Sequence, residues 1–162
     1  MLGNADVAEA LLPYVSSEDV VIAQHCAKSI EAAMPASLEK QVIRLLKDEA
    51  VAPEARFHLV GALQLRGDTM KAADAFLDVL ESSPVSGELR NRLSYALGDM
   101  AEKKHAKRMV SLFEKEEVQY VTMSLAYALN HATGNRNPIG NNGPIAKSEP
   151  GKRSQFIDRW ME

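Results

Sequence analysis

Four histidines, His25, His58, His105 and His131, are the side chains of this chain best suited to moving protons or ligating a metal, and their spacing serves neither task. Two ligands on one helix face stand roughly three or four residues apart, because about 3.6 residues complete a turn, and no two of these histidines do. The single cysteine, Cys26, excludes an internal disulfide and a thiolate cage for zinc; in a helical context it reads as a small core side chain. No Gly-rich phosphate loop, GxSxG elbow or Cys/His nucleophile pair occurs. The residues therefore predict no catalytic group, no metal ligand and no cofactor site, and the expectation moves from chemistry to binding.

The elements that would position a binding surface are legible around Glu54 to Pro84, EARFHLVGALQLRGDTMKAADAFLDVLESSP. This stretch reads as a helix, a tight Arg66-Gly67-Asp68 turn and a second helix ending before Pro84. Two helices of this size enclose too little apolar surface to offset chain entropy by themselves. Degenerate copies supply the neighbours. Ile30, Leu63, Leu97 and Leu129 are separated by 33, 34 and 32 residues, and Leu12, Leu46, Leu80 and Phe113 by 34, 34 and 33. Two interleaved ladders with one period predict one supersecondary unit repeated about four times. His25 and His58 hold equivalent places in that repeat, but stacked helices stand roughly 10 Å apart, too far for shared ligation.

Composition narrows the class. With 162 residues, 46% of them hydrophobic and 25% charged, the chain has apolar material for one continuous core, and its scarcity of aromatics beside many Ala and Leu favours close helix packing. A net charge of −3 and a pI near 5.8 argue against a protein whose main task is neutralising phosphates, so nucleic acid is disfavoured as a partner. No apolar run approaches the roughly 20 residues that span a bilayer, so no membrane partner is expected. The start, MLGNADVAEALL, lacks a basic n-region and an uninterrupted apolar run, which reads as cytoplasmic if Met1 is the native start.

In chain order, helices are expected from Asn4 or Ala5 to Tyr14, from Val20 to Ala33, after a Ser37 cap, from Pro53, after an Asp68 cap, from Glu88 to about Ala101, from about Lys104 to Lys115, and from Glu117 to about Ala132 before Gly134. Lys103, Lys104, His105, Lys107 and Arg108 read as solvated charge on an outer helix. The array would thus occupy 1–134. Residues 135–151 are rich in Gly, Asn and Pro and read as a loop. Residues 152–162 read as a short amphipathic helix whose Phe156, Ile157 and Trp160 cover the open end of the last repeat, with Trp160 as a partner anchor the competing reading.

Paired helices of this period, with an "aL" near the end of each second helix, resemble the short bacterial HEAT-like (PBS-lyase-type) repeats. The run Ala128-Leu129-Asn130-His131-Ala132-Thr133-Gly134, followed by Arg159-Trp160, is similar to the terminal closure of such arrays. Leu59, Gly67-Asp68, Ala72, Phe76 and Pro84 also sit at tetratricopeptide-like offsets, which makes that family the rival. Either resemblance implies an all-α, right-handed α-α superhelix (solenoid) of about four helix pairs with a C-terminal capping helix. Di-iron hydroxylases built on HEAT-like repeats carry His-Glu dipeptides, and this chain has none. A bilin-lyase-like enzyme subunit is the enzymatic alternative that the resemblance leaves, and an anion- or nucleic-acid-binding groove using Arg56, Arg90 and Arg92 is the weaker one.

Helix geometry names the surface that would bind. Positions two before the ladder leucines point about 200° away from them, out of the core. These are Lys28, Gly61, Tyr95 and Tyr127, with Gln24, Phe57, Asn91 and Met123 one turn earlier. If the second helices line the inner curve, Phe57, Tyr95, Met123 and Tyr127 form a binding stripe, with Asn91 on the same face and Arg56, Arg90, Arg92 and Tyr120 beside it; the competing reading is that the tyrosines pack sideways against adjacent helices with their hydroxyls reaching solvent. Aromatic and Arg side chains dominate interface energetics, so the expected partner is a protein or peptide, and the expected function is a non-catalytic scaffold module, possibly part of a longer chain.

Overall fold

The computed structural model describes residues 4–82, 85–134 and 153–161. Among the described residues it is all helix, with no strand. The α-helices are α1 (Asn4–Leu11), α2 (Val20–Ala33), α3 (Glu39–Lys47), α4 (Pro53–Arg66), α5 (Thr69–Ser82), α6 (Gly87–Met100), α7 (Ala106–Lys115), α8 (Gln119–Thr133) and α9 (Ser154–Met161). The starts of α2, α4, α6 and α8, at Val20, Pro53, Gly87 and Gln119, repeat the spacing of the first leucine ladder. Ile30, Leu63, Leu97 and Leu129 are all fully buried, as are Leu46 and Phe113 of the second ladder; Leu12 and Leu80 are half-buried.

Packing divides the chain into two units, Met1–Leu89 and Arg90–Glu162. In the first, α4 lies along α2 and is also flanked by α3 and α5, and α1 packs on α2. Local chemistry sets the ends of these helices. The Asp19 carboxylate accepts from the amides of Val21 and Ile22 at 2.9 and 3.2 Å, satisfying donors that the first turn of α2 leaves over. Asp68 does the same for Met70 and Lys71, and its own amide donates to Glu39 Oε1 at 2.6 Å. The hydrogen bond from the Lys71 amide is the main reason the Asp68 carboxyl lies below its ordinary pKa. At the α4–α5 turn the Gly67 amide donates to Leu63 O at 2.8 Å, and a Cβ on Gly67 would sit 2.7 Å from that oxygen, which is why the turn takes glycine.

In the second unit α8 packs on α7 and α9 packs on both. Gly134, at φ +72°, ends α8 in the left-handed region. The α9 side of the unit is closed by two buried side chains. Arg153 donates through Nη1 to Phe113 O and Glu116 O at 2.5 and 2.6 Å, with its guanidinium 5.2 Å from the Phe113 ring centre. Trp160, 0% exposed, meets the same ring edge-on at 5.0 Å and donates from Nε1 to Asn130 Oδ1 at 2.9 Å. That settles Trp160 as a core side chain of its unit; it is no surface anchor.

Several boundaries differ from the sequence expectation. The first helix ends at Leu11 and tightens into a 3-10 turn over Leu12–Ser16, because Pro13 has no amide to continue the ladder. Ser37 does not cap α3; it sits inside a 3-10 turn, Ala36–Leu38, that leads into it. A similar turn, Lys103–His105, precedes α7, and there the His105 ring is buried and its Nδ1 accepts from the Glu102 amide at 2.8 Å. His105 is therefore a cap, not a member of an exposed basic cluster. Cys26, expected in the core, is partly exposed. The expected loop over 135–151, the break at Pro84 and the Phe156 side chain lie outside the described residues.

Candidate functional site

The side chains expected to bind separate into those that the fold uses internally and those that it presents. Arg56 is used internally. It is 4% exposed, and its Nε donates to Leu46 O at 2.9 Å, satisfying a carbonyl that the last turn of α3 leaves without an amide. Burial pulls its pKa below the ordinary arginine value, against the opposing pull of Glu49 and Asp48. This corrects its assignment to a partner-binding stripe: a guanidinium committed to a buried carbonyl is not offered to a ligand. Arg90 is half-buried and pairs with Glu116, Nη2 to Oε1 at 2.9 Å, while that same oxygen accepts from the Val118 amide. Arg92 is also half-buried. An anion-binding groove built on these three arginines thus has one member buried and a second already paired.

The presented side chains gather on α6 and α8. Tyr95 of α6 and Tyr127 of α8 stack at 5.3 Å between ring centres and 6° between planes, and Tyr127 also meets His131 at 4.3 Å and 45°. One turn below, Ser124 donates from Oγ to Asn91 Oδ1 at 2.7 Å, so the two helices are joined by a hydrogen bond and a ring stack in succession. Gly98 makes the stack possible. A Cβ there would fall 2.1 Å from Cε1 of Tyr127, so the ring lies directly on the α6 backbone. Glycine inside a helix costs about 1 kcal/mol relative to alanine, and seating a large ring is what offsets it here.

Tyr95 is 49% exposed, and Tyr120 and Met123 of α8 are exposed as well. Tyr127 is half-buried; burial, with smaller contributions from Asp99 and Tyr95, pushes its phenol above the ordinary tyrosine pKa. The face offers broad aromatic area with phenol hydroxyls among its polar atoms. Rings that support each other lose little freedom when a partner covers them, the property that favours binding.

The corresponding face of the first unit differs. Phe57 is exposed and meets His58 edge-on at 5.9 Å. His58 Nδ1 lies 2.7 Å from Glu31 Oε2, a half-buried pair that ties α4 to α2, and Arg66 donates to Ala32 O at 3.2 Å further along the same contact. An open depression of about 560 Å³ beside it is lined by Met34, Pro35, Ala36, Leu65 and Arg66 and brings together no reactive groups. Among the described residues no three His, Cys, Asp or Glu side chains converge as metal ligands would, and no helix is long and apolar enough to cross a membrane.

Of the nine side chains expected to bind, the structure stacks Tyr95 on Tyr127, bonds Asn91 to Ser124 one turn away, leaves Tyr120 and Met123 of α8 exposed and Arg92 of α6 half-buried, keeps Phe57 exposed in the other unit, and holds Arg56 and Arg90 in internal contacts. Sequence reasoning missed His131, Ser124 and Gly98. A signal existed for two of them: His131 stands four residues after Tyr127 on one helix face, and Gly98 is a glycine within an expected helix, which often marks close approach. Comparison of the chain with protein-family models, with curated proteins and with solved structures gives no match, so the functional argument rests on this geometry.

Proposed function

We propose that the chain is a non-catalytic binding module of helix pairs, a short HEAT-like solenoid, that holds a protein or peptide partner on the Tyr95–Tyr127 face of α6 and α8. The observation that carries the reading is the ring stack itself: two tyrosines and His131 preorganised on a glycine seat, with exposed Tyr120 and Met123 on the same helix as Tyr127. The recurrence of helix starts at the ladder spacing supports the repeat architecture. Commitment of Arg56 and Arg90 to internal partners weighs against an anion groove, as does the acidic net charge of −3.

The test is selection of binders from a peptide library on the wild-type chain, with counter-screening on Tyr95→Ala and Tyr127→Ala. The expected result is a family of peptides whose affinity drops at least tenfold on either variant while helicity is retained. Peptides that bind both variants as well as wild type would contradict the reading, and so would a ligand repertoire confined to polyanions with strong salt dependence.

A further inference from the structure

The Tyr95–Tyr127 stack has an electrostatic neighbour that ring packing does not explain. Among the described residues, the exposed side chains that α6 and α8 contribute to the second unit are Tyr95, Asp99, Gln119, Tyr120, Met123 and His131, and the fixed charge in that set is the Asp99 carboxylate. Asp99 stands four residues after Tyr95, so carboxylate and ring are neighbours one turn apart on one face of α6. Its charge is also felt on α8, where, after burial, it is the next cause that holds the Tyr127 phenol above the ordinary tyrosine pKa. Asp99 lies in the last turn of α6, where carbonyls without helical partners concentrate negative potential, and that turn has no basic side chain. The last turn of α4, by contrast, carries Arg66, which donates to Ala32 O of α2. A carboxylate at the end of α6 therefore does nothing for the helix it stands on, and both it and the helix end favour a cation.

A cation that fits here must satisfy a ring and a carboxylate together. Tyr127 covers one face of the Tyr95 ring at 6° between planes, and Tyr95 is still 49% exposed. Aromatic faces attract cations, and a planar guanidinium lies flat on a ring while its in-plane N–H groups reach a carboxylate beside it; an ammonium is a compact point charge without that fork. A carboxylate has about four acceptor sites, so Asp99 can take a two-pronged donor without giving up the contacts it already has. Within the unit Arg90 is committed to Glu116, and half-buried Arg92 stands about two turns before Asp99.

We infer that the polypeptide held on the α6–α8 face presents an arginine, its guanidinium flat on the Tyr95 ring and paired with the Asp99 carboxylate. The inference rests on the binding role proposed above and names the chemistry of the partner. It is tested with peptides selected on the intact wild-type chain and lost on Tyr95→Ala. The arginine they share is replaced by citrulline, which keeps the shape and removes the charge, and both peptides are titrated by fluorescence anisotropy against wild type and Asp99→Asn. The expected result is a roughly tenfold weaker affinity for the citrulline peptide on wild type, a similar loss for the parent peptide on Asp99→Asn, and little further loss when the two changes are combined. Asp99 is exposed, and unchanged helicity verifies that Asp99→Asn folds; the citrulline comparison on wild type needs no variant at all. Tyr95-dependent peptides that share no arginine, a citrulline peptide that binds as tightly as its parent, or losses that simply add would each overturn the inference and leave the binding role intact. A library that yields no Tyr95-dependent peptide removes both.

Discussion

In the first unit α4 is held to α2 by a polar contact, His58 Nδ1 to Glu31 Oε2 at 2.7 Å, whereas in the second α8 meets α6 through the Tyr95–Tyr127 stack and the Ser124–Asn91 hydrogen bond. The positions equivalent to the two tyrosines are Lys28 and Gly61 in the first unit. The core rungs of both units are alike, with Ile30, Leu63, Leu97 and Leu129 fully buried. What differs is the side turned about 200° from those rungs, where side chains leave the core untouched and can be exchanged without unfolding the hairpin. Core and outward positions are thus set independently, and in this chain the stacked tyrosines stand in the second unit.

A second contrast concerns the carbonyls at the ends of the first helices. Leu46 and Phe113 are rungs of one ladder, and each carbonyl accepts from a buried arginine, Arg56 in one unit and Arg153 in the other. The register of Arg56 in the last helix pair is Thr122, whose hydroxyl donates to Val118 O at 3.1 Å instead. Arg153, reaching in from beside α9, takes over the task. This explains why burying α9 matters to a unit whose own helices already repeat the pattern.

The comparison breaks most severely at Trp160. Trp160→Ala removes a fully buried ring that packs on Phe113 and bonds Asn130, and a loss of about 3–5 kcal/mol is expected by urea denaturation, while the exposed Leu65→Ala changes stability by less than about 0.5 kcal/mol. Next come the two stitching arginines. Arg56→Met and Arg153→Met each leave a buried carbonyl without its donor and should cost about 1–3 kcal/mol in the same measurement.

The ring seat is tested by a cycle. Gly98→Ala should destabilise wild type by roughly 1 kcal/mol or more because Cβ collides with the Tyr127 ring, yet stabilise a Tyr127→Ala background by up to about 1 kcal/mol through helix propensity; additivity would refute the seat. The smallest effect concerns pH. Because the folded Tyr127 pKa is raised above 10.0, the fold holds that proton more tightly than the unfolded chain does. The associated stability is present below the unfolded tyrosine value and fades as pH rises through the folded one, and Tyr127→Phe should remove that alkaline decline from a denaturation series.

Much of the scaffold was legible in the residues, since apolar rungs at a fixed period report the core directly, and α2 matches its expected ends, Val20 and Ala33. The Pro13 turn and the His105 cap were not, because both replace a regular helix start or end with 3-10 geometry that periodicity cannot register. Arg56 misled for a different reason. A charged side chain is ordinarily exposed, and only the unpaired Leu46 carbonyl across the turn, a tertiary fact, draws it inward. Tyr95 and Tyr127 were placed on one face by register alone, but their stacking depends on the Gly98 seat, which required knowing how close the helices lie.

The most direct measurement places a photoreactive phenylalanine analogue at Tyr95 or at its first-unit counterpart Lys28, followed by illumination in the native host and identification of adducts by mass spectrometry. The account predicts a defined adduct with another polypeptide species at position 95, lost when Tyr127→Ala is added, and none of that species at position 28. The same adduct at both positions, or at position 28 alone, would contradict it.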